Sequence, residues 1–254
     1  MTDIRFDFSG RTAIVTGAAS GLGREIALEL GASGALVIVS DLKDEACRGV
    51  VDEIAAAGGK AKAFAADVTD EEAMHEMACF AEKDCGGLHM AVNNAGIGGP
   101  SMPTGDYPSQ DWRRVIDINL NGVFYGMRWQ IPAMLRTGGG AIVNMSSILG
   151  SVGFANSAPY VAAKHGLLGL TKTAAMEYAQ QGIRVNAVGP AFIETPLLSA
   201  NLSPEVMEGL AALHPMDRIG KPAEVSGLTC FLLSDRASFI TGSYHLVDGG
   251  YTAP

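Results

Sequence analysis

Short runs of β-branched and apolar residues alternate along this chain with longer stretches rich in alanine and leucine. The short runs have the length and composition of buried strands, and the longer stretches have the length of helices. The predicted strands are Arg11–Thr16, Leu36–Ser40, Lys62–Ala66, Leu88–Asn93, Ala141–Ser146, Arg184–Val188 and Tyr244–Val247. The predicted helices are Gly21–Ala32, Asp44–Ala57, Glu71–Lys83, Gln110–Leu135, Pro159–Gln180 and Pro222–Ser234.

Regular alternation of strand and helix predicts an α/β fold, in which a doubly wound parallel sheet of about seven strands carries helices on both faces. These elements use the whole length of the chain, so we expect a single domain over residues 1–254. One region, Thr195–Gly220, does not follow the alternation of strands and helices and is rich in Leu, Met and Pro. We predict a substrate lid at about residues 193–220.

The chain of 254 residues carries 27 acidic and 18 basic side chains, which gives a formal net charge of −9. This balance argues against a nucleic-acid partner, because phosphate backbones select basic surfaces. The N-terminus is mixed and charged, unlike a signal peptide, and apolar runs such as Ala35–Val39 are far too short to span a bilayer. We therefore expect a cytoplasmic protein with no membrane partner.

The cysteines and histidines give no sign of a metal site. Four cysteines are scattered without a Cys-x-x-Cys pair, and the five histidines are equally dispersed. We expect the thiols to be reduced and to pack as small hydrophobic groups. The cysteines are Cys47, Cys79, Cys85 and Cys230.

A glycine-rich turn, Thr16–Gly23, follows the first predicted strand and opens the first predicted helix. Glycines at this point allow a tight turn and let the backbone approach a pyrophosphate, which then meets the positive end of the helix. The sequence therefore predicts a dinucleotide site whose first contacts are Gly17, Ser20, Gly21, Leu22 and Gly23.

Asp41 ends the second predicted strand and precedes Leu42. A carboxylate there accepts hydrogen bonds from an adenosine ribose and repels a 2′-phosphate. Positions 20 and 42 are Ser and Leu, so no Arg or Lys stands there to hold such a phosphate. NAD is therefore favoured over NADP. The alternative is that Asp41 only caps the following helix.

Two further strand ends extend the predicted cofactor site. Asp67 and Val68 close the third strand, where an aspartate could bond the adenine amino group or, alternatively, cap the next helix. Asn93 is followed by Asn94, Ala95 and Gly96 at the end of the fourth strand. Small residues there suit a backbone surface lying against a cofactor, and the alternative is a simple turn.

Tyr160 and Lys164 are four residues apart within a predicted helix, so one turn puts both side chains on the same face. An ammonium group beside a phenol stabilises the phenolate, and we expect Lys164 to draw the pKa of Tyr160 down towards neutrality. A tyrosine tuned in this way can exchange a proton with an alcohol near physiological pH. The alternative is a partly buried tyrosine above a snorkelling lysine.

Several motifs follow one another in a specific order along the whole chain: Thr16–Gly23, Asn93–Gly96, Asn119, Ser147, Tyr160-x-x-x-Lys164 and Asp248-Gly-Gly. In their order and spacing the chain resembles the short-chain dehydrogenase/reductase family. The resemblance implies a Rossmann-type fold, a nicotinamide cofactor and a homotetramer that assembles through two long helices.

The same resemblance implies roles for single residues. Ser147 would hydrogen-bond the substrate oxygen, Tyr160 would act as acid and base, and Lys164 would lower the pKa of Tyr160 and hold the nicotinamide ribose. Asn119 would anchor a water linked to Lys164, with Asn121 as the rival position.

The family pattern extends beyond the sixth strand. Pro190, Ile193 and Thr195 match cofactor-binding positions, and the last two would hold the nicotinamide carboxamide. Ala191 stands where the family usually has glycine, which makes the backbone shape at this point an open question.

The expected substrate-pocket wall is apolar, apart from the hydroxyls of Ser147 and Tyr160. No Arg or Lys lies between Ile193 and Leu213, so we expect a neutral secondary alcohol or ketone, with a cyclic compound as one form. The residues predicted for this wall are Leu149, Phe154, Phe192, Leu197, Leu198, Met207 and Leu210.

Some stretches are also similar to family members that act on cyclic alcohols and dihydrodiols. These stretches are Tyr160–Gly166, His214–Arg218 and Ser238–Tyr251. The leading hypothesis is therefore an NAD-dependent oxidoreductase of secondary alcohols.

Two other functions stay open at this point. A 3-oxoacyl-(acyl carrier protein) reductase would prefer NADPH and would need basic residues near the cavity entrance, whereas Asp41 and the acidic balance argue against it. A non-catalytic NAD-sensing regulator would be expected to lose Ser147, Tyr160 or Lys164, and all three are present.

Overall fold

The computed structural model describes residues 5–195, 198 and 203–253. Its centre is one parallel sheet with the strand order β3-β2-β1-β4-β5-β6-β7. This confirms the predicted doubly wound sheet and its number of strands. The strands are β1 (Thr12–Thr16), β2 (Leu36–Asp41), β3 (Lys60–Ala65), β4 (Met90–Asn93), β5 (Gly140–Met145), β6 (Ile183–Pro190) and β7 (Tyr244–Val247).

The helices cover both faces of this sheet, because successive residues of each strand point to opposite sides. The helices are α1 (Gly21–Ala32), α2 (Asp44–Ala56), α3 (Glu71–Asp84), α4 (Ser109–Ile116), α5 (Gly122–Arg136), α6 (Ala158–Tyr178), α7 (Pro204–Ala212) and α8 (Pro222–Leu233). In β1, for example, Ala13 and Val15 face a core with α1, α2 and α8, whereas Ile14 faces a second core with α3, α5 and α6. Within the described ranges, we find no helix long and apolar enough to cross a bilayer.

The order of the strands places a switch point between β1 and β4, which lie side by side although they are far apart in the sequence. The chain leaves β1 towards one edge of the sheet and leaves β4 towards the other. The loops after these strands therefore diverge and open a crevice at the carboxyl ends of the strands.

The long helix predicted over Gln110–Leu135 is wrong in one respect, because a π-helical turn at Asp117–Asn121 separates α4 from α5. Polar side chains explain the break. The amide of Asn119 exchanges two hydrogen bonds with the backbone of Ile97, and Asn121 donates to Asp117 at 2.8 Å. Such single wide turns inside helices are frequent at functional sites.

The region expected to be irregular also contains an element that the pattern did not predict. Helix α7 begins after Ser203, whose hydroxyl accepts a hydrogen bond from the Val206 amide. This excursion of the chain, residues 193–220, has its two ends side by side, because Ile193 and Gly220 form an isolated parallel bridge. Both ends of this region therefore lie together just beyond the end of β6.

Ala191 does not disturb the backbone. Strand β6 runs on to Pro190, beyond the predicted end at Val188, and the Ala191 amide donates to the Val247 carbonyl at 3.1 Å. Ala191 is not among the described residues with positive φ, so this position does not need a glycine.

A buried amide network joins the centre of the sheet to two long helices. The Asn93 and Gln130 side chains exchange two hydrogen bonds, and Asn93 also donates to Asn144 at 3.0 Å. Asn144 in turn donates to the Thr171 hydroxyl at 3.0 Å on α6. Because these polar groups are buried, each broken bond would leave an unsatisfied partner, so the network fixes α5 and α6 on the sheet.

Candidate active site

A cavity of about 1000 Å³ follows the carboxyl edge of the sheet. Its size is at the upper end of the range for ligand pockets, which run from roughly 300 to 1,000 Å³. The structure brings nearly all of the predicted site residues to this cavity. Those that line it are Gly17, Ser20, Gly21, Leu22, Asp41, Leu42, Asp67, Val68, Asn94, Ala95, Gly96, Ser147, Leu149, Phe154, Tyr160, Lys164, Pro190, Phe192, Ile193, Thr195 and Leu198.

The glycine-rich turn leaves no room for a side chain at Gly17 or Gly23. A Cβ on Gly17 would lie 2.8 Å from the Cα of Ala95, and a Cβ on Gly23 would overlap the carbonyl oxygen of Gly17. Gly17 also has a φ of +64°, which favours glycine. The turn ends at α1, whose N-cap Ser20 makes no side-chain capping bond, so the first amides of the helix are free to meet an anion.

The end of β4 is tied to this turn. The Asn94 side chain donates to the carbonyls of Thr16 and Gly17 at 3.0 and 3.2 Å. The Thr16 hydroxyl accepts hydrogen bonds from the amides of Asn94 and Ala95. The two strand ends on either side of the switch point therefore form one rigid floor for a ligand.

Asp41 faces the turn and does not cap a helix. Its carboxylate accepts from the amides of Ala19 and Leu42 at 3.0 and 2.8 Å. Helix α2 starts at Asp44 with Lys43 as its N-cap, so the capping alternative for Asp41 is wrong. The carboxylate is held at the cavity wall with lone pairs left for a donor such as a ribose hydroxyl.

The capping alternative for Asp67 is wrong for a similar reason. The N-cap of α3 is Asp70, whose side chain accepts from the amides of Glu72 and Ala73. Asp67 instead accepts from the amide and hydroxyl of Thr69 and stays exposed at the cavity.

At the other end of the cavity, Tyr160 and Lys164 lie one turn apart on α6 and on the same side of the helix. The Lys164 Nζ is 5.4 Å from the centre of the Tyr160 ring. Only 3% of Lys164 is exposed, and its ammonium group donates to the Met145 carbonyl at 2.7 Å. The alternative of a snorkelling lysine is therefore wrong, because this amine points inwards.

Ser147 completes the group at the end of β5. Its hydroxyl lies near enough to the Tyr160 hydroxyl to favour the phenolate, and it accepts from the Leu149 amide at 3.2 Å. A residue that sequence reasoning missed supports it from β7: the Tyr244 hydroxyl donates to the Ser147 carbonyl at 2.6 Å. No motif marks Tyr244, and only the pairing of β6 with β7 places it there.

The predicted lowering of the Tyr160 pKa is not what the structure gives. Burial of the phenol raises its pKa above the ordinary value, although the Ser147 hydrogen bond acts in the opposite direction. Burial also lowers the pKa of Lys164 from 10.5 to about 8. Desolvation is therefore the main influence on the pKa of both groups, and we expect a phenolate at Tyr160 to need positive charge beyond that of Lys164.

Asn119 is fully buried behind Gly96 and does not line the cavity. Both ends of its side-chain amide bond the backbone of Ile97. A Cβ on Gly96 would lie 3.1 Å from the Asn119 Oδ1 and 3.7 Å from the Lys164 Nζ, so the two side chains flank this glycine. The role of Asn119 as a water anchor stays a prediction.

Three residues of the predicted pocket wall are not placed there. Met207 and Leu210 lie on α7 and do not line the cavity, and Leu197 lies outside the described residues.

The sequence reasoning also missed Arg113 and Arg114, two exposed residues of α4 on the cavity rim. Two adjacent arginines in an acidic chain would have been a usable signal. In the described part of the structure, neither forms an ion pair, and no group of His, Cys, Asp and Glu could hold a metal.

Comparison with known proteins agrees with this geometry. Residues 17–252 match the family model described as enoyl-(acyl carrier protein) reductase. The chain is 50% identical over 246 residues to the cyclohexanol dehydrogenase of Acinetobacter sp. (strain SE19). This match covers 97% of this chain and 96% of that protein. It belongs to the short-chain dehydrogenase/reductase family.

Two more members of the short-chain dehydrogenase/reductase family are informative. The cis-4-hydroxycyclohexanecarboxylate dehydrogenase of Sinomonas cyclohexanicum is 45% identical over 249 residues, which are 97% of this chain and 98% of that protein. The solved 7α-hydroxysteroid dehydrogenase, complexed with NADH and 7-oxo glycochenodeoxycholic acid, is 35% identical with a TM-score of 0.91. That match covers 96% of this chain and 95% of the other. This chain is thus an oxidoreductase of the family.

The residues present fit the nicotinamide dinucleotide that this family uses. The bare glycine turn offers backbone amides for a pyrophosphate, Asp41 offers a carboxylate for a ribose, and Gly96 leaves space beside Lys164. A short-chain dehydrogenase/reductase with this cavity can bind NAD or NADP at its β1–α1 side while a second molecule reaches Tyr160.

A Gly23→Ala substitution tests the glycine cradle. The added Cβ would overlap the Gly17 carbonyl, so the turn must shift and we expect NADH affinity to fall by at least roughly tenfold. Calorimetric titration with NADH on the folded variant measures this loss. The matched control is Gly49→Ala on α2, where a Cβ meets nothing within 4 Å: it should bind NADH normally and gain about 0.5–1 kcal/mol of unfolding free energy. Equal NADH affinity in the two variants would contradict the cradle.

Proposed function

We propose that this enzyme transfers a hydride between NAD(H) and a neutral secondary alcohol or ketone carried on a ring. The observation on which the proposal rests is the grouping of Tyr160, Ser147 and Lys164 at one end of the cavity, beside an apolar wall. A phenol and a serine hydroxyl that are close together on the cavity wall can both reach one substrate oxygen. The dinucleotide end of the cavity lies on the same continuous surface.

In alcohol oxidation, Tyr160 as phenolate takes the proton of the alcohol hydroxyl, and the C–H bond of the same carbon breaks as its electron pair leaves with the hydrogen. The carbon–oxygen bond becomes a carbonyl, and Ser147 donates a hydrogen bond to that oxygen as its charge changes. NAD⁺, which the glycine turn and Asp41 would hold, would supply the hydride acceptor and a positive charge on its ring. Lys164 adds charge beside the phenol and would hold the nicotinamide ribose.

The proposed substrate class is supported by the apolar residues that line the same cavity as Tyr160. Phe154, Phe192, Leu149 and Leu198 present apolar surface, which favours a hydrocarbon ring over a charged or sugar-like chain. The related cyclohexanol dehydrogenase carries a substrate of this kind in its name, and this chain shares half of its residues with that enzyme.

The proposed preference for NAD is supported by Asp41. Its carboxylate is fixed by two backbone amides at the cavity wall, and a 2′-phosphate beside it would meet a like charge. Arg24, the basic residue nearest to the glycine turn along the chain, is engaged with Glu53 on α2.

Of the two alternatives, the 3-oxoacyl-(acyl carrier protein) reductase keeps some support, including charge on the cavity rim. Arg113 and Arg114 provide basic charge on the cavity rim, which such an enzyme would need, whereas Asp41 still argues against NADPH. A non-catalytic NAD sensor is not retained, because the chain is an oxidoreductase of its family and the three reacting residues are all in place.

Two further features stay predictions. The homotetramer is supported by aromatic and apolar side chains left exposed on the described surface, namely Phe124 on α5, Met176 on α6 and Phe239 before β7. A lid at residues 193–220 is supported by the closed base of that excursion next to the cavity.

Replacing Tyr160 by Phe tests the assignment of the acid and base. We expect turnover of cyclohexanol with NAD to fall by about 10²–10⁴-fold, because the transferred proton loses its acceptor, while NADH binding stays nearly intact. Initial rates from NADH absorbance and a calorimetric NADH titration measure the two quantities. Tyr178→Phe, on the same helix, is the control and should keep full activity. Substantial activity in Tyr160→Phe would remove this residue from the mechanism.

Replacing Asp41 by Ala tests the cofactor preference. Without the like charge, we expect the ratio of kcat/KM for NADP to that for NAD to rise roughly ten- to hundredfold. Asp44→Ala is the control, since it removes an equal charge a few residues away at the start of α2. An unchanged ratio in Asp41→Ala, or an equal rise in the control, would leave Asp41 with a structural role only.

A further inference from the structure

Four aromatic rings from separate parts of the chain meet at the substrate end of the cavity. Phe192 is at their centre: its ring centroid is 6.2 Å from Phe154, 5.9 Å from His214 and 6.0 Å from Tyr251. All three contacts have edge-to-face geometry, and His214 and Tyr251 also touch each other with centroids 5.5 Å apart. Phe154 and Phe192 line the cavity, whereas His214 and Tyr251 stand behind them.

His214 is held by packing more than by hydrogen bonds. Its ring is 3% exposed, and Nδ1 lies 2.8 Å from the Leu210 carbonyl oxygen. Because a carbonyl only accepts, Nδ1 carries the proton and donates it to Leu210. The other nitrogen, Nε2, is buried without a partner among the described residues. Contacts with the Phe192 and Tyr251 rings therefore help to position this imidazole. Its hydrogen bond to Leu210 connects the three rings to α7.

Tyr251 is placed by a tight turn that follows β7. The Asp248 carboxylate accepts from the amides of Gly250 and Thr252 at 3.0 Å and from the Thr252 hydroxyl at 2.6 Å. Gly249 and Gly250 both have positive φ, and a Cβ on Gly250 would lie 3.0 Å from the Pro215 ring. The turn thus packs directly on the segment that carries His214, which fixes the Tyr251 ring against Phe192.

We propose that Tyr251 and His214 are positioning residues that set substrate specificity, because together they hold the Phe192 ring against the cavity, where it limits the size of the ring that the substrate end accepts. This rests on the proposed function. Edge-to-face pairs are directional, so removal of a backing ring lets Phe192 turn away from the cavity. When the Phe192 ring can move, the cavity should bind a small ring less tightly and accept a larger one.

The test compares cyclohexanol with 2-decalol, its two-ring analogue, as substrates of the intact enzyme with NAD. For Tyr251→Ala we expect the KM for cyclohexanol to rise roughly three- to tenfold with kcat nearly unchanged, since the reacting groups are untouched. The ratio of kcat/KM for 2-decalol to that for cyclohexanol should rise by at least as much. Tyr251→Phe retains the ring and should restore wild-type values.

Two further variants show whether Tyr251 acts through Phe192. Phe192→Ala should reproduce the change in substrate ratio, and the Tyr251→Ala, Phe192→Ala double variant should be no more altered than Phe192→Ala alone. If Tyr251→Ala does not fold, His214→Ala gives the same test, because it removes the other ring packed on Phe192 and should raise the ratio, whereas His214→Phe keeps a ring there and should preserve it. Phe80→Ala is the matched control: it loses an aromatic pair with Phe64 outside the cavity and should leave the ratio unchanged.

The possible failures are distinct. If the wild-type enzyme oxidises no cyclic alcohol, the proposed function fails and this inference falls with it. If the wild-type enzyme oxidises cyclohexanol but Tyr251→Ala keeps its substrate ratio, or if the two single changes add fully, only the positioning role is overturned.

Discussion

The structure depends on one unfavourable arrangement, the burial of the Lys164 ammonium group beneath Tyr160. A pKa lowered from 10.5 to about 8 means that the charged amine costs the folded state roughly 3 kcal/mol below pH 8, a cost that vanishes above the pKa of the unfolded chain. One hydrogen bond to the Met145 carbonyl offsets part of it. The Tyr160 ring and the Gly96 backbone both lie beside this amine.

The parallel sheet explains why such an amine can be held in place. Every strand delivers its carboxyl end to the same edge, so Asp41, Asn94 and Ser147 come together although they are far apart in the sequence. Alternating apolar segments and a few motifs were therefore enough to predict the fold and most of the cavity lining. The correct placement of Lys164 followed from its spacing of one helical turn from Tyr160.

The features that the sequence did not yield depend on competition between forces or on tertiary packing. Periodicity could not show that Asn119 would favour a π-helical turn by bonding Ile97. Spacing suggested that Lys164 would lower the pKa of Tyr160, but the degree of burial decides the sign. Tyr244 and Tyr251 act through contacts made only after β7 has joined the sheet.

Burial should keep Tyr160 protonated until additional positive charge arrives beside it. The most direct measurement is the near-ultraviolet absorbance of phenolate as a function of pH, taken as wild type minus Tyr160→Phe, for the free protein and with saturating NAD⁺ or NADH. We expect Tyr160 to titrate above pH 10.0 in the free protein and at lower pH with NAD⁺ than with NADH. A phenolate at neutral pH in the free protein, or the same titration in all three states, would contradict it.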